Sequence, residues 1–280
     1  MNDTFSSLED FDQILSDEYD KIAGYFPDKP ISFVQRRFAT YCIFPDPGWP
    51  LIGVGETLAL TSKNPAILYE MLARFIKCTH ASWGHPDERG LHGDGFDFCT
   101  LVVSSLYSAL LGRSYISSVF HCDRKLSVKG YGAYKHSANL MICLECASWN
   151  FKDKAITQAL AFVSAKSISK IDKAFVEFFL GVLANDRAKV MDSLTTFSNG
   201  YLKSDWGKYK AYTKPTFIQA LITYAGLYMA DPITTEERKS FISIDRYELW
   251  QEYQNHLSQL ERHPHQFTGQ LSFLNDFTFD

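Results

Sequence analysis

The densest group of side chains able to do chemistry is His80, His85, His92, Asp94 and Asp97, set among Gly84, Gly90, Gly93 and Gly95. Imidazoles and carboxylates in one segment could bind a divalent metal or move protons. The spacing fits no H-E-x-x-H helix, in which two histidines one turn apart share a metal with a glutamate between them. A folded loop that uses glycine for its turns and Asp97 as a helix cap accounts for the same residues more simply. A metal-dependent enzyme built on the His85–Asp97 loop is thus one alternative reading. It predicts a concave pocket around that loop and a copurifying metal detectable by elemental analysis.

The other constellations are weaker. Cys143 and Cys146 form a C-x-x-C, with His121, Cys122 and His136 upstream. Structural zinc needs four converging ligands, and a single C-x-x-C on an apolar helix reads as two buried thiols. There is no G-x-S-x-G elbow, and Gly53-Val54-Gly55 lacks the rest of a phosphate-binding loop. A cysteine–histidine pair could meet only through the fold, and no pair is favoured. We therefore assign no catalytic residue, no metal ligand and no cofactor. Tyr201, Lys203, Trp206, Lys208, Tyr209, Lys210, Tyr212 and Lys214 interleave rings and cations in the manner of single-strand binders. Against that stands a formal net charge of −4, so the segment reads as an inter-helical connection with no nucleic-acid partner.

Charge is concentrated at the start of the chain. Asp3, Glu9, Asp10, Asp12, Asp17, Glu18 and Asp20 occur with no Lys or Arg among the first residues to Asp20. Such a run is either a solvated helix face or a docking surface for a basic partner. No basic start with an apolar core marks a secretion signal, and no apolar run reaches the ~20 residues needed to span a bilayer. The expectation is a cytoplasmic protein with no membrane partner, its six cysteines reduced.

The elements that must position these residues read as helices. With 46% hydrophobic and 15% aromatic residues, the chain can bury a large core, which argues against disorder. Leu8, Phe11, Ile14, Leu15, Tyr19 and Ile22 give Leu8–Tyr25 a helical period with one acidic face. Ile31–Ile43 reads as a second helix, and three prolines make Phe44–Pro50 a loop. Asn64 and Pro65 open a helix carrying Ile67, Leu68, Met71, Leu72, Phe75 and Ile76 on one face. Asp97 begins another, to about Leu111, whereas Ser118–Tyr134 fits either a long loop or a small hairpin.

Helices follow over Asn139–Ser148 and from Asp153 to about Ala165. Ser169 with Asp172 resembles a capping box in which Asp replaces Glu. The helix it opens puts Ile171, Ala174, Phe175, Phe178, Phe179, Val182 and Leu183 on one face. Asn185-Asp186 turns it into a partner marked by Val190, Met191, Leu194 and Phe197. Later helices are expected from Pro215 to about Ala230, after a cap at Thr235, and over about Tyr247–Leu260. Residues 263–280 have no helical period and are expected to pack back as an extended strap through Phe267, Leu271, Phe273 and Leu274.

The reading is thus a single all-α domain over 1–280: an N-terminal helical part to about residue 115, packed helical hairpins over about 137–262, then the strap. Turns at Asn150, Asn185 and Asp231 recur without a strict period, as in a degenerate helical repeat that lacks the tetratricopeptide consensus.

The segment beginning Ala161-Phe162-Val163-Ser164-Ala165, with its F-x-x-x-L-x-N-D hairpin ending at Asn185-Asp186, the helix after it and Tyr201-Leu202-Lys203-Ser204-Asp205-Trp206, resembles the helical immunity proteins that bacteria encode beside polymorphic toxins. The immunity protein 49 family is the one it is most similar to, over about the C-terminal half. The resemblance implies a protein that binds one cognate toxin in the cytoplasm and occludes its active site. Such toxins are often nucleases or NAD-degrading enzymes. The acidic N-terminal helix then supplies the partner-binding candidates Glu9, Asp10, Asp12, Asp17 and Glu18, which would meet a basic cleft. A helical-repeat scaffold with no toxin partner would share every one of these features.

Overall fold

The computed structural model describes residues 8–43, 51–82, 106–112, 152–166, 168–203, 214–241, 244–257 and 266–276. Among them every regular element is helical, and no strand occurs. The chain is all-α. Of the helix expected from Asp97 to about Leu111, 106–111 is helical and the rest lies outside the described residues, as do the expected helix over 139–148, the 44–50 loop and the ambiguous 118–134 segment.

Among the described residues the first half holds four helices of three turns or more and a shorter helical stretch at 106–111. α1 (Leu8–Tyr25) and α2 (Ile31–Ile43) form a hairpin that seats Leu15, Tyr19, Val34 and Phe38 in the core. α4 (Ala66–Ser82) packs against α2 and against α3 (Leu51–Ser62). Asn64 accepts the Ala66 N–H at 3.0 Å, after Lys63 has turned the chain at φ 52°. α3 was not expected from the sequence. Apolar almost throughout, with two glycines, it shows no amphipathic period. Its Gly55 explains one of those glycines: a Cβ there would stand 2.5 Å from the Met71 side chain, so the α3–α4 contact requires a residue without one.

The second half is built of hairpins. α5 (Lys152–Val163) packs on α6 (Lys170–Ala184), which pairs closely with α7 (Arg187–Gly200); α8 (Lys214–Tyr228) contacts both α6 and α7. Ser169 caps α6 by accepting the Asp172 N–H at 3.0 Å, and its hydroxyl donates to the Asp172 carboxylate at 2.7 Å. Asn185 takes the left-handed conformation at φ 53°, and Asp186 caps α7 by accepting the Lys189 N–H. Asn185 also accepts the Ala230 N–H at 3.0 Å, and Arg187 bridges to Asp231 and Glu237. One turn is therefore tied to the next.

α9 (Thr235–Lys239) is capped by Thr234, one residue before the expected Thr235. The reason is in the sequence: Thr234 has Glu237 three positions on, completing a reciprocal capping box, whereas Thr235 would face Arg238. α10 (Ile244–His256) begins ahead of the expected Tyr247 and packs on α3.

Aromatic side chains join the halves. Phe75 of α4 lies 5.5 Å from Tyr107, which lies 6.2 Å from Phe217 of α8. Phe217 in turn meets Phe175, Phe197 and Tyr201 at 5.8, 5.4 and 5.6 Å. These centroid separations fall in the favourable range for ring pairs. The Tyr253 hydroxyl donates to the Leu110 carbonyl at 2.7 Å. The C-terminal segment does pack back, with Phe267, Leu271 and Leu274 buried, but Gly269–Asp276 coils in 3₁₀ turns instead of running extended. Three-residue turns bring Leu271 and Leu274 onto one edge, which an extended strand would place on opposite faces.

Candidate functional site

The acidic helix divides into an inward and an outward set. Asp12 turns inward: its two oxygens accept from Arg74 Nε at 3.1 Å and Nη2 at 2.9 Å, a fork-to-fork pair across 62 residues of chain. Arg74 is 1% exposed and also donates from Nη1 to the Glu70 carboxylate at 3.1 Å and to the Glu70 carbonyl at 3.3 Å. A buried guanidinium without such partners would be strongly destabilising, so Asp12 is a structural anchor of α1 on α4. Glu18, half-buried, accepts a close hydrogen bond from Lys21.

Asp10, Asp17 and Asp20 are exposed. They share one outward arc of α1 with Gln13, which donates to Asp17 at 2.9 Å. Glu9 lies in α1 as well. The five expected partner-binding residues thus lie on one helix; Asp12 turns inward to Arg74, Glu18 is half-buried, and Asp10 and Asp17 are exposed.

Behind α1 lies a second buried cation that sequence reasoning missed. Lys77, 1% exposed, donates to Asn275 Oδ1 at 3.0 Å; that oxygen also accepts the Phe267 N–H, and the amide donates back to the Phe267 carbonyl at 2.7 Å. The Phe267 ring covers both cations, 5.8 Å from Arg74 and from Lys77. Burial, and then the neighbouring Arg74 charge, lower the Lys77 pKa. Gln270 completes the seat by donating to the Ser16 carbonyl at 2.9 Å and hydroxyl at 2.8 Å. No sequence signal marked it: Arg74 and Lys77 share with Glu70 the side of α4 away from its apolar row, where a cation is ordinarily solvated.

Cys42 and Cys78 are fully buried free thiols. Burial, and then a hydrogen bond with Cys78, push the Cys42 pKa well up, which leaves it a poor nucleophile. Of the histidine-rich group only His80 falls in a described helix; His85, His92, Asp94 and Asp97 lie outside the described residues, as do Cys143, Cys146, His121, Cys122 and His136. Among the described residues, no three His, Cys, Asp or Glu side chains gather as a metal set, and no helix is long and apolar enough to cross a membrane. Of the aromatic–lysine connection, Tyr201 is buried and Lys203 exposed, and Lys214 begins α8; 206–212 lie outside the described residues.

No protein-family model matches the chain, and no curated protein or solved structure is similar to it at a significant level.

Proposed function

We propose that this chain is an immunity-type protein, acting in the cytoplasm, that neutralises one cognate toxin by covering its active site. The single observation that carries the reading is the outward row Asp10, Asp17 and Asp20 on a helix whose inner side is fixed by the Asp12–Arg74 fork. A rigid acidic row is suited to a basic cleft, where it speeds encounter and sets register. The resemblance of the C-terminal hairpins to helical immunity proteins points the same way. Its work in this reading is to present a surface, with no catalysis of its own.

The test is copurification with the product of the adjacent gene, followed by titration of that protein's activity. Neutralising Asp10, Asp17 and Asp20 to Asn should weaken inhibition at least ten-fold with folding unchanged. Unchanged inhibition would refute the surface assignment. The absence of any copurifying toxin would favour the scaffold reading, which the tie from the Asn185 turn to Ala230 and Asp231 also supports.

A further inference from the structure

Two free thiols meet in the core where α2 packs on α4. Cys42 and Cys78 are both fully buried, and a hydrogen bond joins their side chains. Cys42 continues the inward row of Val34 and Phe38 at four-residue spacing, and Cys78 stands three residues after the buried Phe75. Small apolar side chains would fill the same space. A thiol pair adds a capacity that they lack, since it can give up two electrons and become a covalent bond. Hydrogen-bonded thiols already face one another, and a disulfide asks the sulfurs to close to about 2.05 Å.

Position along the helices supplies access. Cys42 is one residue from the end of α2 at Ile43, and Cys78 is four from the end of α4 at Ser82. Helix ends open locally at lower cost than helix centres, so an oxidant can reach these sulfurs without global unfolding. At rest the pair is quiet. Burial, then the contact with Cys78, then the Glu18 carboxylate keep Cys42 protonated, and the thiolate is the form that attacks. Oxidation therefore waits on local opening.

We propose that Cys42 and Cys78 form a reversible redox clamp, oxidised to a disulfide by peroxide, that fastens α2 to α4. On opening, one thiolate attacks hydrogen peroxide; its sulfur gains an S–O bond, the O–O bond breaks, and the departing hydroxide takes up a proton as water. The facing sulfur then attacks that sulfenic acid, the S–S bond forms, the S–O bond breaks and a second water leaves. Two thiols have lost two electrons and two protons, and peroxide has become two waters. Transient disulfides of this kind serve as sensors in reducing compartments. The bond closes a loop containing the whole of α3, and it fastens the helix whose Arg74 anchors α1. The inference stands without the toxin reading.

Hydrogen peroxide added to the reduced, folded full chain tests it. Remaining thiols are blocked with iodoacetamide in denaturant, and the digest is mapped by mass spectrometry without reductant. Peptides joined through Cys42 and Cys78 should dominate, and dithiothreitol should return both to thiols. The thermal midpoint should rise by about 5–10 °C on oxidation, because the crosslink restricts the unfolded chain. Cys78→Ala should lose that rise; the mapping of the wild type decides the matter even if this variant does not fold. Recovery of both residues as alkylated thiols would overturn the proposal. So would either one paired with another of the six cysteines, a joined pair that forms only in denaturant, or a crosslink that leaves the midpoint where it was.

Discussion

The two halves of the molecule are held by different chemistry. In the α6–α8 region the buried contacts are rings, aliphatic side chains and a few neutral polar groups such as Thr216 and Gln219, and Ser169, Asn185 and Asp186 serve the helix ends. In the α1–α4 region the inner face of α4 carries Arg74 and Lys77, and packing depends on what answers them: Asp12, Glu70, Asn275 and the Phe267 ring. The apolar half can form from local signals. The charged half is complete only when distant segments arrive with the right partners.

Truncating the ring at the centre of the apolar half should have the largest effect. Phe217→Ala removes a fully buried side chain that touches four other rings, and should cost about 3–5 kcal/mol in chemical denaturation. A loss below about 1 kcal/mol would mean that the aromatic column is not the joint between the halves.

Next comes the buried fork. Asp12→Ala leaves Arg74 with Glu70 alone and should cost about 2–4 kcal/mol. The double variant Asp12→Ala with Arg74→Met should recover much of that loss, because the uncompensated charge has gone. A double variant no more stable than Asp12→Ala would show that the fork acts through packing and not through charge.

Helix–helix approach in the apolar half predicts a smaller penalty. A Cβ at Gly181 would meet Val190 Cγ2 at 2.8 Å and the Val190 main-chain nitrogen at 3.1 Å, so Gly181→Ala should cost about 1–3 kcal/mol. Thr234→Ala should cost about 1 kcal/mol through the lost cap. Hydrogen bonds from the Thr234 hydroxyl and main-chain N–H, with help from Arg187, hold the Glu237 carboxyl below its usual range. The Thr234→Ala penalty should therefore be complete at neutral pH and fade as pH falls through the lowered Glu237 value.

The smallest effect is a slope. Burial and Arg74 lower the Lys77 pKa from 10.5, so between the lowered value and 10.5 the unfolded chain binds more protons than the folded one. Stability assigned to this position must then rise with pH across that window. Lys77→Met removes the rise, and its stability relative to wild type should decline as pH is raised through the window. A constant difference would mean that Lys77 titrates as it does in water.

These contrasts also explain what could be read from the chain. α1, α2, α4 and the α6–α7 hairpin announce themselves because their apolar residues recur at helical spacing and Asn64, Ser169 and Asn185 punctuate them. α3 does not, since its exposed polar residues are few and gather only toward its end, at Thr57, Thr61 and Ser62, and glycine argues against helix locally. The acidic run was legible as a helix face, but its division was not. Asp12, four residues after Leu8 and three before Leu15, stands at the border of the apolar face, but the Arg74 that it meets lies 62 residues away and no local pattern names that partner. The 3₁₀ turns of Gly269–Asp276 escaped for a related reason: Asn275 is held by Lys77 and by both main-chain groups of Phe267, contacts that no periodic pattern announces.

The seat of α1 has a consequence in time. Gln270 reaches Ser16 across 254 residues, and Asn275 reaches Lys77 across 198. On a ribosome α1 emerges early, and Arg74 can take hold of Asp12 soon afterwards. The Gln270 bond and the Phe267 cover can form only after residues 267–275 have been made. Until then α1 is moored by the fork and by its packing on α2, and contacts of such long sequence separation close late in folding.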